Sequence, residues 1–266
     1  MISGVRTHIF IDGIEIIRAP HVCIESERDL PLSLAEVTLP DPQGEYFKSI
    51  KIGGDVDIRL GYRNEEPAVW KGTVLSRRPG TNDQVLINAV GEDLPLSVTH
   101  ITQSWENETP EAIIKWAIGE AGMGVGRIDS PGVVFPRFTA SCIPVWQVAR
   151  QCAHTCQKAF GIDMSKWALW MGKDGNINWG DFDEQGDVPE IETGAGLIKH
   201  SPDNGTRALN MVETFLIAGL RHSLKFRLVD TRRGIDNEFR ALRVKHEIKD
   251  RSVRTFIWYG TEYEKF

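Results

Sequence analysis

Val56-Asp57-Ile58-Arg59-Leu60 sets aliphatic residues two apart with charged ones between them, which is the period of a half-buried strand. The alternation continues at Val74 and at Val85-Ile87-Ala89, and a comparable set stands near the other end: Leu224-Phe226-Leu228, Leu242-Val244 and Phe256-Trp258. Val56 and Val74 lie 18 residues apart, and Leu224 and Val244 lie 20 apart. Val56 and Ile87 lie 31 apart, and Leu224 and Phe256 lie 32 apart. Matched order at nearly matched spacing predicts two similar small β-barrels in tandem.

Working outward, residues 5 to about 100 read as all-β. Asp12-Gly13 between two alternating runs is a hairpin signal, because such a turn needs positive φ. Val22-Cys23-Ile24 and Leu34 to Leu39 supply further strands, and Pro40 to Gly44 a loop. From about 102 the pattern becomes helical. Thr109-Pro110-Glu111 is a helix start, with a capping hydroxyl, a proline in the first turn and an acid near the positive end of the dipole. Ile113, Trp116 and Ala117 continue it, and Gly122 and Gly124 stop it. A second helix begins near Pro144. Its apolar stripe runs through Val145, Val148, Ala149, Cys152, Ala153, Cys156 and Phe160 to Gly161. Trp167 to Met171 and Ile177 to Trp179 flank a turn at Lys173 to Asn176. The acidic stretch Asp181 to Gly196 reads as a linker. Asn204-Gly205 reads as a turn, and Arg232-Arg233-Gly234 as the tip of a long loop from Val229 to Asn237. The expected architecture is mainly β with a small α/β insertion: a first barrel over 1–101, the insertion over 102–194 and a second barrel over 195–266.

The chain has 266 residues, 41% of them apolar and 26% charged, enough to fold ordinary cores. A net charge of −6 argues against a general nucleic-acid binder, which needs a basic face to release counterions. No apolar run reaches the roughly 18–20 residues that span a bilayer, so no membrane insertion by this chain is expected. The N-terminus lacks the basic start and apolar core of a signal peptide, which points to folding in a cytoplasm. Four cysteines, three of them between 142 and 156, do not form a disulfide framework pattern.

Several constellations invite chemistry and are better read as structure. Cys152-Ala153-His154-Thr155-Cys156, with Cys142 nearby, suggests a metal. Residues two apart on a helix diverge by about 200°, so His154 points away from both cysteines. A site would need a broken helix or a second chain. Asp174-Gly175-Asn176 opens like a calcium loop, but Trp179 stands where glycine is required and Gln185 where a glutamate is. Gly122-Met123-Gly124-Val125-Gly126 follows a helix instead of opening one, unlike a phosphate loop. The seven histidines are scattered, and no His-Glu-x-x-His or Gly-x-Ser-x-Gly is present. His246, in step with Leu242 and Val244, reads as a core histidine. Trp116, Trp146, Trp170, Trp179 and Trp258 sit in apolar-periodic contexts where core packing is expected, whereas Trp70 and Trp105 are less constrained. No catalytic, cofactor-binding or metal-ligating residue is assigned, and no enzyme activity is expected.

Gly53 to Tyr62, followed by Val69-Trp70-Lys71-Gly72-Thr73-Val74, resembles the first barrel of phage tail hub proteins. That family comprises the Mu-like baseplate hub, the late control protein D group and the hub part of type VI secretion spike proteins. Phe239 to Ile248 and Thr255-Phe256-Ile257-Trp258 resemble its closing pattern, a Val-x-His strand followed by a Thr-led strand. The resemblance implies a homotrimer whose six barrels form a pseudo-sixfold ring. Its implied partners are the tail tube protein, the central spike protein, the tape measure protein and other baseplate proteins, with DNA only in transit. The implied location is the virion tail, after assembly in the host bacterial cytoplasm. Loops Tyr62 to Ala68 and Val229 to Asn237 are the expected contact elements. Two alternatives stay open: a tail-tip carbohydrate- or receptor-binding module, and a cell-wall hydrolase whose carboxylates meet only in the fold.

Overall fold

The computed structural model describes residues 4–28, 30–202, 209–249 and 252–260. The described residues form two compact units, one within 4–27, 32–92 and 185–260, the other within 28–31 and 93–184. In the first unit, β1 (Val5–Ile11) turns through Asp12 and Gly13, both at positive φ, into β2 (Ile14–Ile16). β3 (His21–Glu27) and β4 (Leu34–Pro40) form a hairpin, and α1 (Glu45–Ser49) follows, its Tyr46 and Phe47 amides held by Asp41. β5 (Asp55–Tyr62), β6 (Ala68–Pro79) and β7 (Gln84–Gly91) are then a meander. The predicted alternation is observed: Val56, Ile58, Leu60, Val74, Val85, Ile87 and Ala89 are all buried in one apolar cluster. Gly72 has a packing reason. A Cβ there would strike the Val90 carbonyl and the Trp70 ring, whose Nε1 donates to Ser33 Oγ at 3.3 Å.

The second unit starts at α2 (Pro95–Val98) and β8 (His100–Glu108). α3 (Pro110–Glu120) is capped by Thr109, whose Oγ1 accepts the Ala112 amide at 3.3 Å. β9 (Val125–Ile128), β10 (Phe135–Pro144) and α4 (Val145–Phe160) follow, and Gly161 at φ +70° ends the last. β11 (Ala168–Met171) and β12 (Ile177–Gly180) are the expected hairpin about Asp174-Gly175. β8 pairs with β10, while β9, β12 and β11 make a small sheet. The α4 stripe is buried from Val145 to Cys156, but Phe160 lies 40% exposed at the last helical position, just before the Gly161 cap. Trp116 departs from expectation. It is also 40% exposed, because Ile113, Ile114, Ala117 and Ile118 fill the core face of α3 and leave its ring edge-on to Trp105.

The chain then returns to the first unit through β13 (Glu190–Thr193), β14 (Gly196–Ser201), β15 (Leu209–Thr214), β16 (Lys225–Asp230), β17 (Ile235–Arg240), β18 (Arg243–Lys249) and β19 (Ser252–Gly260). The stretch expected as a linker thus contains a strand, β13, paired with β16 and β14. The expected long loop from Val229 to Asn237 is a tight hairpin instead: β16 and β17 pair from Lys225↔Arg240 to Asp230↔Ile235. Asn204-Gly205 lies outside the described residues. Ile191, Phe226, Leu228, Val244 and Ile257 lie in the core cluster of this second lobe.

Both lobes belong to one 14-stranded order, β17-β16-β13-β14-β15-β19-β18-β3-β4-β7-β6-β5-β1-β2. The seam between them is the antiparallel pair β18–β3, flanked by the hairpins β18–β19 and β3–β4. Outside those hairpins β15 and β7 pair antiparallel in turn. The fold is mainly β with an α/β unit. The two strand triplets differ in pairing, however: β5, β6 and β7 are neighbours, whereas β16 is separated from β18 and β19. Phase differs as well. β19 buries Thr255, Ile257 and Tyr259, leaving Phe256 and Trp258 half-buried under Lys245 and Arg243. A strand apolar on both faces does not declare its register by alternation.

Candidate functional site

The strongest concentration of buried polar chemistry lies in the second lobe. Phe226, Leu228 and Asp230 alternate on β16, so the inward phase that buries two apolar side chains also buries a carboxylate. Asp230 Oδ2 accepts from His200 Nδ1 at 2.7 Å and from Arg233 Nη1 at 2.9 Å, and Oδ1 accepts the Arg232 amide at 3.1 Å. The other imidazole nitrogen, Nε2, lies 2.8 Å from Tyr259 Oη and accepts a hydrogen bond from that hydroxyl. The His200 hydrogen bond, aided by Arg233 and the Arg232 amide, holds Asp230 at about 2 against the opposing effect of burial. Burial and the Asp230 charge push the Tyr259 hydroxyl up to about 12. A chain Tyr–His–Asp–Arg therefore runs from the core to the hairpin tip.

That tip, Thr231 to Gly234, faces the bend from β13 to β14, which turns through Gly194 at φ +88°. Between them is a cavity of about 230 Å³ lined by polar groups, among them Lys199, His200, Asp230, Arg232 and Arg233. A second polar cluster ties the lobe to its own connecting segment. His246 sits opposite Thr255 across β18–β19, and its Nδ1 accepts from Thr255 Oγ1 at 3.0 Å. Nε2 donates to the Leu220 carbonyl at 2.8 Å, and Thr255 Oγ1 in turn accepts the Ile217 amide. Burial lowers the His246 pKa to about 4, only partly opposed by the Leu220 bond. The Val-x-His and Thr-led strands of the sequence are thus a clamp on residues 217–220.

The other expected contact element, between β5 and β6, is exposed from Arg63 to Pro67 and anchored at its start, where Tyr62 Oη donates to the Leu216 carbonyl at 2.9 Å. In the α/β unit, Trp146, Trp167 and Trp179 surround about 40 Å³ of water-accessible space beside Arg28 and Arg150. Arg28 is 1% exposed. It stacks 4.1 Å over Trp170 and donates to the Gly180 carbonyl at 2.9 Å.

The cysteine constellation does not converge. Cys152 and Cys156 are buried on the α4 stripe, while His154 and Cys142 are exposed. Burial pushes the Cys156 thiol up to about 11, which disfavours the thiolate a metal would need. Among the described residues no three His, Cys, Asp or Glu side chains are placed to hold a metal ion. The network around Asp230 escaped the sequence because His200, Asp230 and Tyr259 share no local motif. Its one local signal was the acid in phase with Phe226 and Leu228.

No protein-family model matches the sequence, and no curated protein does. Solved structures do match. The tail protein from Neisseria meningitidis MC58 superposes with a TM-score of 0.67 at 11% identity, over 97% of both chains. The 43 kDa tail protein of prophage MuSo2 from Shewanella oneidensis gives 0.68 at 11% identity, again over 97% of both. The E. coli c3393 protein is described as a component of the type VI secretion system, structurally similar to T4 bacteriophage tail proteins gp27 and gp5. It gives 0.65 at 11% identity over 97% of this chain and 78% of its own. The end-to-end coverage includes both β lobes and the α/β unit, and the chain shares the fold of these tail proteins.

Proposed function

We propose that this protein is a structural component of a phage tail or tail-like particle and acts by assembly. The observation that carries the reading is the end-to-end likeness to two tail proteins, at TM-scores of 0.67 and 0.68. In the proposed assembly three chains close into a ring. Two β lobes per chain offer six similar surfaces to a hexameric tail tube, while three chains match a trimeric central spike. The ring encloses the ejection channel, through which DNA passes without being held. An acidic wall, in keeping with the net charge of −6, would keep DNA from adhering in passage. A potential map with a basic lumen would contradict that feature. Tape measure and other baseplate proteins complete the partner set, and the virion tail is the site of action.

Exposed residues Arg63 to Pro67 and the β16–β17 tip are the proposed contact elements for tube or neighbour, since loops on a rigid sheet carry variable function. No observation among the described residues favours the carbohydrate-binding or hydrolase alternatives over this reading. Sugar recognition needs a groove wider than the small space between Trp146, Trp167 and Trp179. The cavity at the β16–β17 tip has one carboxylate in its lining, Asp230, and it is already committed to His200 and Arg233.

Native mass across a concentration series tests the reading. Three copies of 29.9 kDa give a particle of about 90 kDa. A monomer at every concentration, together with no threefold ring on tail tubes by electron microscopy, would overturn the assembly.

A further inference from the structure

We propose that the outer edge of β8 is a pairing surface for a second copy of this chain, joined antiparallel about Gln103 so that two β8–β10 ribbons become one four-stranded sheet. β8 has a single neighbour among the described residues, β10, so its other edge presents backbone N–H and C=O groups with no strand beside them. Thr102, Gln103 and Ser104 are exposed. Gln103 is in step with buried Ile101 and half-buried Trp105, so its exposure leaves the edge uncovered on the helix-bearing face.

Edge strands that must stay unpaired are kept short, kinked or charged. The other outermost strands of the described sheets follow that rule. β2, β9 and β11 have three or four residues each. β17 has exposed Asp236 and Glu238. β10 has Pro136, Pro144 and a bulge at Cys142, which stands at φ +53°. β8 has nine residues, no proline or glycine, and no charge from Ile101 to Trp105.

The side chains name the occupant. With Gln103 of both copies at a two-fold axis, Thr102 meets Ser104, Ile101 meets Trp105 and His100 meets Glu106 of the other copy. Hydroxyl faces hydroxyl, apolar faces apolar, imidazole faces carboxylate, and no like charges are opposed. The axis keeps both helix-bearing faces on one side, together with Trp105, which stands edge-on to exposed Trp116. Main-chain hydrogen bonds supply affinity and these side-chain pairs supply register. The contact is isologous and closes with two copies, so it neither needs nor excludes a threefold ring.

Sedimentation of the full chain tests the pairing. An interface running only from His100 to Glu106 is small and weak, so the series extends from about 1 μM to about 1 mM. Two copies of 29.9 kDa give about 60 kDa, and two rings of three give about 180 kDa. Gln103→Lys sets like charges opposite each other at the axis and is expected to weaken the pairing about fivefold, and Gln103→Glu to do the same. An equimolar mixture of the two variants should regain the even-numbered species, because lysine then meets glutamate. That rescue requires position 103 to meet itself. Gln103 is exposed, so each variant should keep the parent's circular dichroism spectrum and melting temperature. Only one or three copies at every concentration, an unchanged mass in Gln103→Lys, or a mixture no heavier than its components would each overturn the proposal. Two copies that respond to these variants, with no threefold species, would support the pairing while the ring reading fails.

Discussion

The two β lobes share a sheet and differ in what they bury. The first lobe's cluster of sixteen buried residues is wholly apolar, and among the described residues that lobe buries no polar side chain. Among the described residues, seven of the ten buried polar ones, from His200 to Thr255, lie in the second lobe, whose apolar cluster has ten described members. An apolar core is held by area and shape and is indifferent to pH. A hydrogen-bonded polar core is held by a few directional contacts, each costly to break because its partner stays buried. The lobes should therefore respond alike to a cavity and differently to the loss of a partner or a proton.

The sharpest test removes one partner. Asp230→Ala leaves the His200 Nδ1–H facing a void where its acceptor was, and a buried donor left without its acceptor costs about 1–3 kcal/mol. Ile58→Ala, at a fully buried site of the first lobe, should cost a comparable 2–5 kcal/mol, roughly, by cavity formation alone. Urea titration of both variants checks this. A loss under about 1 kcal/mol for Asp230→Ala would mean that the network contributes little and that the contrast between the lobes is only compositional.

The next test is acid. His246 has a folded pKa of about 4 against an ordinary value of 6.5, so the unfolded chain takes up its proton first as pH falls. Stability contributed by neutral His246 is fully present above 6.5 and declines between 6.5 and about 4, by about 3 kcal/mol in all. Asp230, held at about 2, adds a further loss only below its ordinary 3.8. Thermal melts from pH 7.5 to 4.5 should show the decline, and His246→Gln should flatten it. A decline of equal slope in that variant would place the titrating group elsewhere.

What the sequence made legible follows the same division. The first lobe could be read strand by strand because its apolar residues alternate cleanly with charged ones, as in Val56-Asp57-Ile58-Arg59-Leu60. In the second lobe alternation misled: Phe256 and Trp258 are more apolar than Thr255, yet Thr255 is buried, because His246 and the Ile217 amide both need its hydroxyl. The Val229–Asn237 hairpin was also hidden. Its outer strand, Ile235-Asp236-Asn237-Glu238, looks like a loop by composition and is held by backbone pairing and by Arg227 on Asp236. The cavity at the tip depends on residues about 30 positions apart, and no local pattern brings them together.

A smaller effect is expected from Thr255→Val. The shape is kept, but the Ile217 amide loses its acceptor and His246 Nδ1 its donor, a cost of about 1–3 kcal/mol. Hydrogen exchange should rise at residues 217–220 and stay unchanged in β4 and β7. Faster exchange spread evenly over both lobes would show that the clamp holds the whole sheet and not one segment.

The smallest effect comes from outside both lobes and calibrates the rest. Thr109→Ala removes the cap of α3, a loss of about 1 kcal/mol, since the Ala112 amide exchanges its hydroxyl acceptor for water. The α/β unit has its own core, and His246 and Asp230 are not in it. The destabilisation should therefore be the same at pH 7.5 and at pH 5, with the acid slope of the parent protein preserved. Urea titrations at the two pH values measure the difference directly. Should the slope change with Thr109, the acid sensitivity would belong to a transition that the α/β unit shares. The polar core of the second lobe would then no longer be its sole source.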